Sequence, residues 1–244
     1  MRRRAILHNL RLEQQMINPL SVLVCTPSID GRVECAYAGG LASAGAEHLF
    51  GNMFFLNLCS HVAAARNQIV ATFLSSPFDQ LVFIDADIGF SAQDFKYLMN
   101  YPQQKGGPLP PDQVEFDEVA TKDSHGEPLI SCAEYSRKTE AHEAVRLGLG
   151  FCKISREVFS TLDALRNDDG SPVIQQYMAN GSLVSDYFIS GCRNDRWLGE
   201  DQGFFILCHM AGIVPRIEQR TNLHHFGRKV YVYNTPVVGA GAHV

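Results

Sequence analysis

Leu81-Val82-Phe83-Ile84-Asp85-Ala86-Asp87-Ile88-Gly89-Phe90 is the stretch that decides how this chain is read. Its apolar opening, β-branched and aromatic, suits a strand buried on both faces of a sheet. Asp85 and Asp87 then fall where that strand leaves the sheet, at the carboxyl edge where open α/β sheets bind their ligands. Side chains two apart in extended backbone point the same way, and a turn can bring both toward one ion. Such hard oxygen donors suit Mg²⁺ or Mn²⁺ bridged to phosphates, with water completing the shell. The plainer reading makes Asp85 a helix cap and Asp87 a solvated loop residue.

Outward from that strand the pattern predicts a first strand over 20–25, ended by Thr26-Pro27-Ser28 and a loop to about Val33, then a second strand over 53–58. Val62, Ala65, Ile69, Val70, Phe73 and Leu74 keep helical spacing within 59–76, with Pro77 as the stop. Strand, helix, strand in this order implies parallel pairing. Ser91 followed by Asp94 is close to a capping box opening the next helix. Strands are expected over 129–135, 150–154, 183–190 and 213–217, and helices over 155–166 and 200–211, the last stopping at Gly212. Residues 101–128, rich in proline, glycine and acids, read as a loop or insertion. Residues 1–19 read as a helical lead-in, and 237–244 as a mobile tail.

The chain has 244 residues, 45% of them apolar and 19% charged, which suits one α/β domain with a sizeable core. A net charge of -5 gives no general attraction to a polyanion, and the only basic cluster is Arg2, Arg3 and Arg4 with Arg11 beyond. Seven cysteines without a C-x-x-C pair argue against a zinc site and for reduced thiols in a soluble, cytoplasmic protein. No apolar stretch is long enough to span a membrane, and no secretory apolar region follows the arginines.

Three further groups carry chemistry. Glu200 and Asp201 open an apolar helix, where capping or the helix dipole would explain them. His224 and His225 follow a strand, and an imidazole beside carboxylates is a good Mn²⁺ ligand. Arg66 lies within a helix, where a lone arginine usually faces water.

Taken in order, Thr26-Pro27-Ser28, Ala65-Arg66-Asn67, Phe83-Ile84-Asp85-Ala86-Asp87, Gly148-Leu149-Gly150-Phe151, Gly199-Glu200-Asp201 and His225-Phe226-Gly227 resemble the motifs of nucleotide-sugar-dependent glycosyltransferases of the GT-A fold. The likeness is to the small family-2-like enzymes of bacteria, phages and large viruses, and it covers residues 20 to 234. It implies a single Rossmann-like α/β domain over 20–236 with a mixed, mostly parallel central sheet flanked by helices. It implies Mn²⁺ or Mg²⁺ held by Asp87, by Asp85 directly or through water, and by His225, against the diphosphate of a nucleotide sugar, most plausibly a UDP-sugar.

By the same resemblance, Thr26, Pro27, Ser28 and Asp30 cradle the nucleoside, Arg66, Asp85 and Ala86 contact the nucleotide, and Gly148 to Phe151 let backbone approach the donor sugar. Asp201 is the implied general base of an inverting transfer, with Glu200 as the alternate. A basic pair at Arg137 and Lys138 is a partial match. The acceptor stays open among a glycan, a protein side chain and a modified nucleic-acid base, with Tyr187, Phe188 and Trp197 as a possible platform or, on the plainer reading, core residues. Two competing readings are a catalytically silent nucleotide- or sugar-binding relative and a metal-dependent nucleotidyltransferase or phosphohydrolase. The oligomeric state is not legible.

Overall fold

Burial on both faces organises the central strands. The computed structural model describes residues 17–57, 59–101, 118–136, 146–193, 195–226 and 231–233. In β1 (Val22–Ser28) and β3 (Gln80–Ile84) the alternating residues Leu23, Cys25, Leu81 and Phe83 enter one apolar cluster, and Val22, Val24, Val82 and Ile84 enter another. The pleat sends successive side chains to opposite faces, so both sides of these strands require helical cover.

The cover comes from α2 (Val62–Leu74), α4 (Arg156–Asp163) and α5 (Glu200–Met210) on one face, and from α1 (Cys35–Ala46) and α3 (Ala92–Leu98) on the other. With β2 (Asn52–Asn57), β5 (Ile130–Cys132), β8 (Phe151–Ser155) and β13 (Arg216–Ile217), the sheet runs β13-β5-β8-β3-β1-β2. Only β8 runs against its neighbours. The result is the α/β architecture expected: a mixed, mostly parallel sheet between helical layers.

Smaller pairings decorate the carboxyl edge and the flank: β4 (Ile88–Gly89) with β14 (Leu223–His225) and β15 (Tyr231–Tyr233), β6 (Tyr135–Ser136) with β7 (Arg146–Leu147), β9 (Gln176–Ala179) with β10 (Ser182–Ser185), and β11 (Gly191–Arg193) with β12 (Arg196–Leu198).

Several expectations are corrected. The first strand begins at Val22, because Leu20 sits in a 3₁₀ turn over Pro19–Ser21, and it continues through Thr26, Pro27 and Ser28 beside Phe55, Leu56 and Asn57. Pro27 is tolerated because β3 pairs only with Val22 to Cys25, which leaves that side without a ladder to break. Helix α1 was not expected: Gly39 and Gly40 interrupt a segment of small residues without an apolar stripe. The segment is helical because small residues let it lie close to the sheet, and a Cβ on Gly40 would sit 2.3 Å from the Phe90 carbonyl oxygen.

The strand expected over 183–190 is instead the hairpin β9–β10, whose Asn180-Gly181 turn has φ of 50° and 80°, the signature of a type I′ turn. The strands expected over 129–135 and 213–217 shorten to β5 and β13. The capping box at Ser91 and Asp94 is complete, and α5 stops before Gly212, whose φ is 70°. Residues 1–16 of the lead-in, 102–117 of the insertion, Arg137 and Lys138, Gly227 and the 237–244 tail lie outside the described residues. Among the described residues no helix is long and apolar enough to cross a membrane.

Candidate functional site

The segment leaving β3 is clamped by backbone hydrogen bonds. Asp85 N–H donates to the Gly150 carbonyl at 2.8 Å and Ile88 N–H to the Asp85 carbonyl at 3.0 Å; Glu34 and Phe226 N–H donate to the Ala86 and Asp87 carbonyls, each at 2.8 Å. Around the resulting turn the two carboxylates take different partners while lining the same cavity. Asp85 turns inward to Arg66, and Asp87 turns outward to His225.

Arg66, expected at the surface or against a nucleotide, is only 2% exposed. Its Nη2 reaches both Asp85 oxygens at 3.0 and 3.1 Å, its Nε lies 3.8 Å from Glu200 Oε1, and its guanidinium sits 5.0 Å from the Phe83 ring centroid. Burial disfavours its charge, but Asp85, Asp201, Glu200 and Glu134 outweigh that and raise its pKa. Asp85 is also raised, by burial first, against the lowering influence of Arg66. The next residue, Asn67, donates to Asp186 at 2.7 Å and accepts from the N–H groups of Tyr187 and Phe188 at 2.9 and 3.2 Å. The Ala65-Arg66-Asn67 stretch therefore braces the floor of the site.

Pairing of His225 with Ile88, and of His224 with Gly89, carries an imidazole from the far end of the chain to the strand edge. His225 Nε2 lies 3.2 Å from Asp87 Oδ2 across 138 residues, and its Nδ1 lies 3.4 Å from Glu134 Oε1. Hydrogen bonds to Asp87 and Glu134 push the His225 pKa up to about 10. His224 stacks on Phe226, and His225 is the one of the two that meets Asp87.

Glu134 is a site residue the sequence reading missed, although it follows an apolar strand end as Asp85 does. It accepts the Gly150 N–H at 3.0 Å, and a Cβ on Gly148 or Gly150 would lie 2.4 or 2.6 Å from its Oε2. The Gly148-Leu149-Gly150 run thus makes room for a carboxylate, where the resemblance implied room for a donor sugar.

Glu200 and Asp201 open α5, whose N-cap residue Gly199 makes no side-chain cap bond. Both face the Arg66 guanidinium. Asp201 Oδ1 is buried without a hydrogen-bond partner, and its pKa is pushed up to about 8, chiefly by burial, against Arg66 and with help from Glu200.

Two cavities flank the His225 bridge. One, of about 680 Å³, is lined by Pro27, Ser28, Asp30, Asp85, Ala86 and Asp87 among others. Thr26 is not part of that wall: it is 1% exposed and shares a hydrogen bond with Tyr37. The other, of about 410 Å³, includes Glu134, Arg146, Trp197, Glu200 and Asp201. Tyr187 and Phe188 are core residues, Tyr187 meeting Phe159 edge to face and Phe188 stacked on Phe204, whereas Trp197 is 76% exposed.

Among the described residues no group of three or more His, Cys, Asp and Glu forms a ready metal cage. The donor chemistry nevertheless fits a divalent ion at Asp87 and His225: the Asp87 side chain is 45% exposed on a cavity wall and abuts an imidazole. Asp85, with both oxygens on Arg66, is suited to orienting that edge rather than to direct ligation.

No family model and no curated protein sequence matches the chain. Among solved structures, the crystal structure of A197 from STIV is similar at a TM-score of 0.46 and 17% identity, over 91% of this chain and 99% of that one. A glycosyltransferase involved in the glycosylation of the major capsid of PBCV-1 is similar at a TM-score of 0.34 and 10% identity, over 60% of this chain and 66% of that one. Neither likeness bears on which residues act.

Proposed function

We propose that this chain is a metal-dependent glycosyltransferase that moves a sugar from a nucleotide sugar, preferably a UDP-sugar, to an acceptor hydroxyl with inversion. The observation that carries the reading is the meeting of Asp87 and His225, 3.2 Å apart, on a ridge between two cavities at the carboxyl edge of the sheet. A divided site of this kind suits a reaction with two substrates and one charged leaving group.

On this reading Pro27, Ser28, Asp30 and the Ala86 backbone line the nucleoside side, and Asp87 and His225 hold Mn²⁺ or Mg²⁺. When bound, the ion neutralises charge on the leaving nucleoside diphosphate. Arg66 fixes Asp85 beneath the ridge by engaging both of its oxygens, so the carboxylate edge is set before substrate arrives. Asp201 takes the proton: the acceptor oxygen bonds to the anomeric carbon, the bond from that carbon to the diphosphate oxygen breaks with its electron pair staying on the diphosphate, and the hydroxyl proton passes to the carboxylate. A carboxylate whose pKa is about 8 takes up the hydroxyl proton strongly, and it is free to do so as pH rises through about 8.

The test is to screen nucleotide sugars for release of nucleoside diphosphate with and without Mn²⁺. Release should require the ion and vanish in Asp87→Ala. Turnover unchanged by that substitution would refute the metal assignment.

A further inference from the structure

The cavity beyond the His225 bridge has a wall composition that selects among acceptors. Trp197 is the only tryptophan of the chain and stands 76% exposed on β12, opposite Cys192 in the β11–β12 pairing, two residues before the N-terminus of α5. An exposed indole on a cavity that also contains the base candidate is an apolar face awaiting a partner. The same cavity is lined by Glu134, Glu200 and Asp201, with Arg146 as the one formal cation among the described lining residues.

A phosphodiester chain would meet three carboxylates and one guanidinium there, which opposes a polyanion. A neutral polyol meets them well: vicinal hydroxyls donate to carboxylate oxygens, a ring oxygen or hydroxyl accepts from the guanidinium, and the C–H face of a pyranose lies flat on the indole. Asp201, the base candidate, stands in this wall beside Glu200. We infer that this cavity is a carbohydrate subsite, and that the acceptor is a glycan whose terminal pyranose stacks on Trp197 and presents a hydroxyl to Asp201. This rests on the glycosyltransferase reading and supplies the acceptor class which that reading leaves open.

Because the full chain has one tryptophan, its emission reports this cavity alone. Methyl glucoside, methyl galactoside, methyl mannoside and chitobiose are titrated separately, alongside a serine/threonine-rich peptide and a single-stranded oligonucleotide. At least one saccharide should shift the emission saturably. By calorimetry with that saccharide, Trp197→Ala should weaken binding about tenfold, whereas Trp197→Phe, which keeps a stacking face, should retain most of it. Emission that no saccharide moves, or that only the peptide or the oligonucleotide moves, overturns the inference, as does unchanged affinity in Trp197→Ala. Released diphosphate from nucleotide sugars in the wild-type chain is read in parallel. Turnover without saccharide binding removes this subsite and leaves the donor reading standing, and saccharide binding without turnover supports the subsite while removing the transferase.

Discussion

Replacing Arg66 by Met tests how the site is held together. The substitution keeps an unbranched apolar stem over Phe83 and deletes a guanidinium that is 2% exposed and 3.0 and 3.1 Å from the two Asp85 oxygens. Glu200, Asp201 and Glu134 lose the same cation. Removing one partner of a buried ion pair costs about 3–5 kcal/mol, because the remaining charge stays buried without compensation. For a chain of this size that lowers the melting temperature by about 6–20 °C.

The sign with pH follows from the carboxylates left behind. Without Arg66 the folded-state pKa of Asp85 rises further above its unfolded value, so the folded state binds protons more readily than the unfolded one. Stability tied to a raised carboxylate pKa is fully present below the unfolded value and lost as pH rises through the folded one. The gap between wild type and R66M should therefore be widest near pH 7 and narrow toward pH 5. Denaturant midpoints and thermal melts at both pH values read this directly, and R66M/D85N should recover much of the loss. A loss below about 1 kcal/mol at pH 7, or a gap that widens in acid, would show that the guanidinium does not compensate these acids.

Asp201→Asn should cut glycosyl transfer by about 10²–10⁴-fold while nucleotide affinity holds, and the wild-type rate should climb as pH rises through about 8, a climb the variant lacks. Lys153 is 1% exposed, donates to the Pro128 carbonyl, and has its pKa lowered by burial from 10.5 to about 8. A lysine lowered in the folded state destabilises below the folded pKa and ceases to as pH passes the unfolded one, so Lys153→Met should gain about 2 kcal/mol at pH 7 and little near pH 11, read from denaturant midpoints. Gly203→Ala should destabilise by about 2–3 kcal/mol, since its Cβ would fall 1.9 Å from the Ile189 carbonyl oxygen; Gly39→Ala, with nothing within 4 Å, should stabilise by about 0.5–1 kcal/mol in the same melts.

Strand β3 was legible in the sequence because a run buried on both faces carries its own signal, and the Ser91 cap because its partner lies three residues on. Helix α1 was hidden because its cause is close approach to Phe90, a tertiary fact that Gly40 does not advertise. Glu134 was hidden for a related reason: it becomes a site residue only when Gly148 and Gly150, fourteen and sixteen positions later, vacate the space its carboxylate fills. The different partners of Asp85 and Asp87 were likewise unreadable, since the turn between them is set by backbone bonds to Glu34, Gly150 and Phe226. His225 could be singled out over His224 only by motif spacing, and what brings it to Asp87, its register against Ile88, belongs to the folded chain.

That register has a thermal corollary. The ladder seating the imidazole is two residue pairs long, His224 with Gly89 and His225 with Ile88, while the main sheet is locked by extended pairings and two apolar clusters. Short ladders open at far less free energy than a whole domain does. Gentle heating should therefore unlatch the imidazole from its carboxylates while the scaffold stays intact, so that the proposed activity is lost reversibly below the melting temperature.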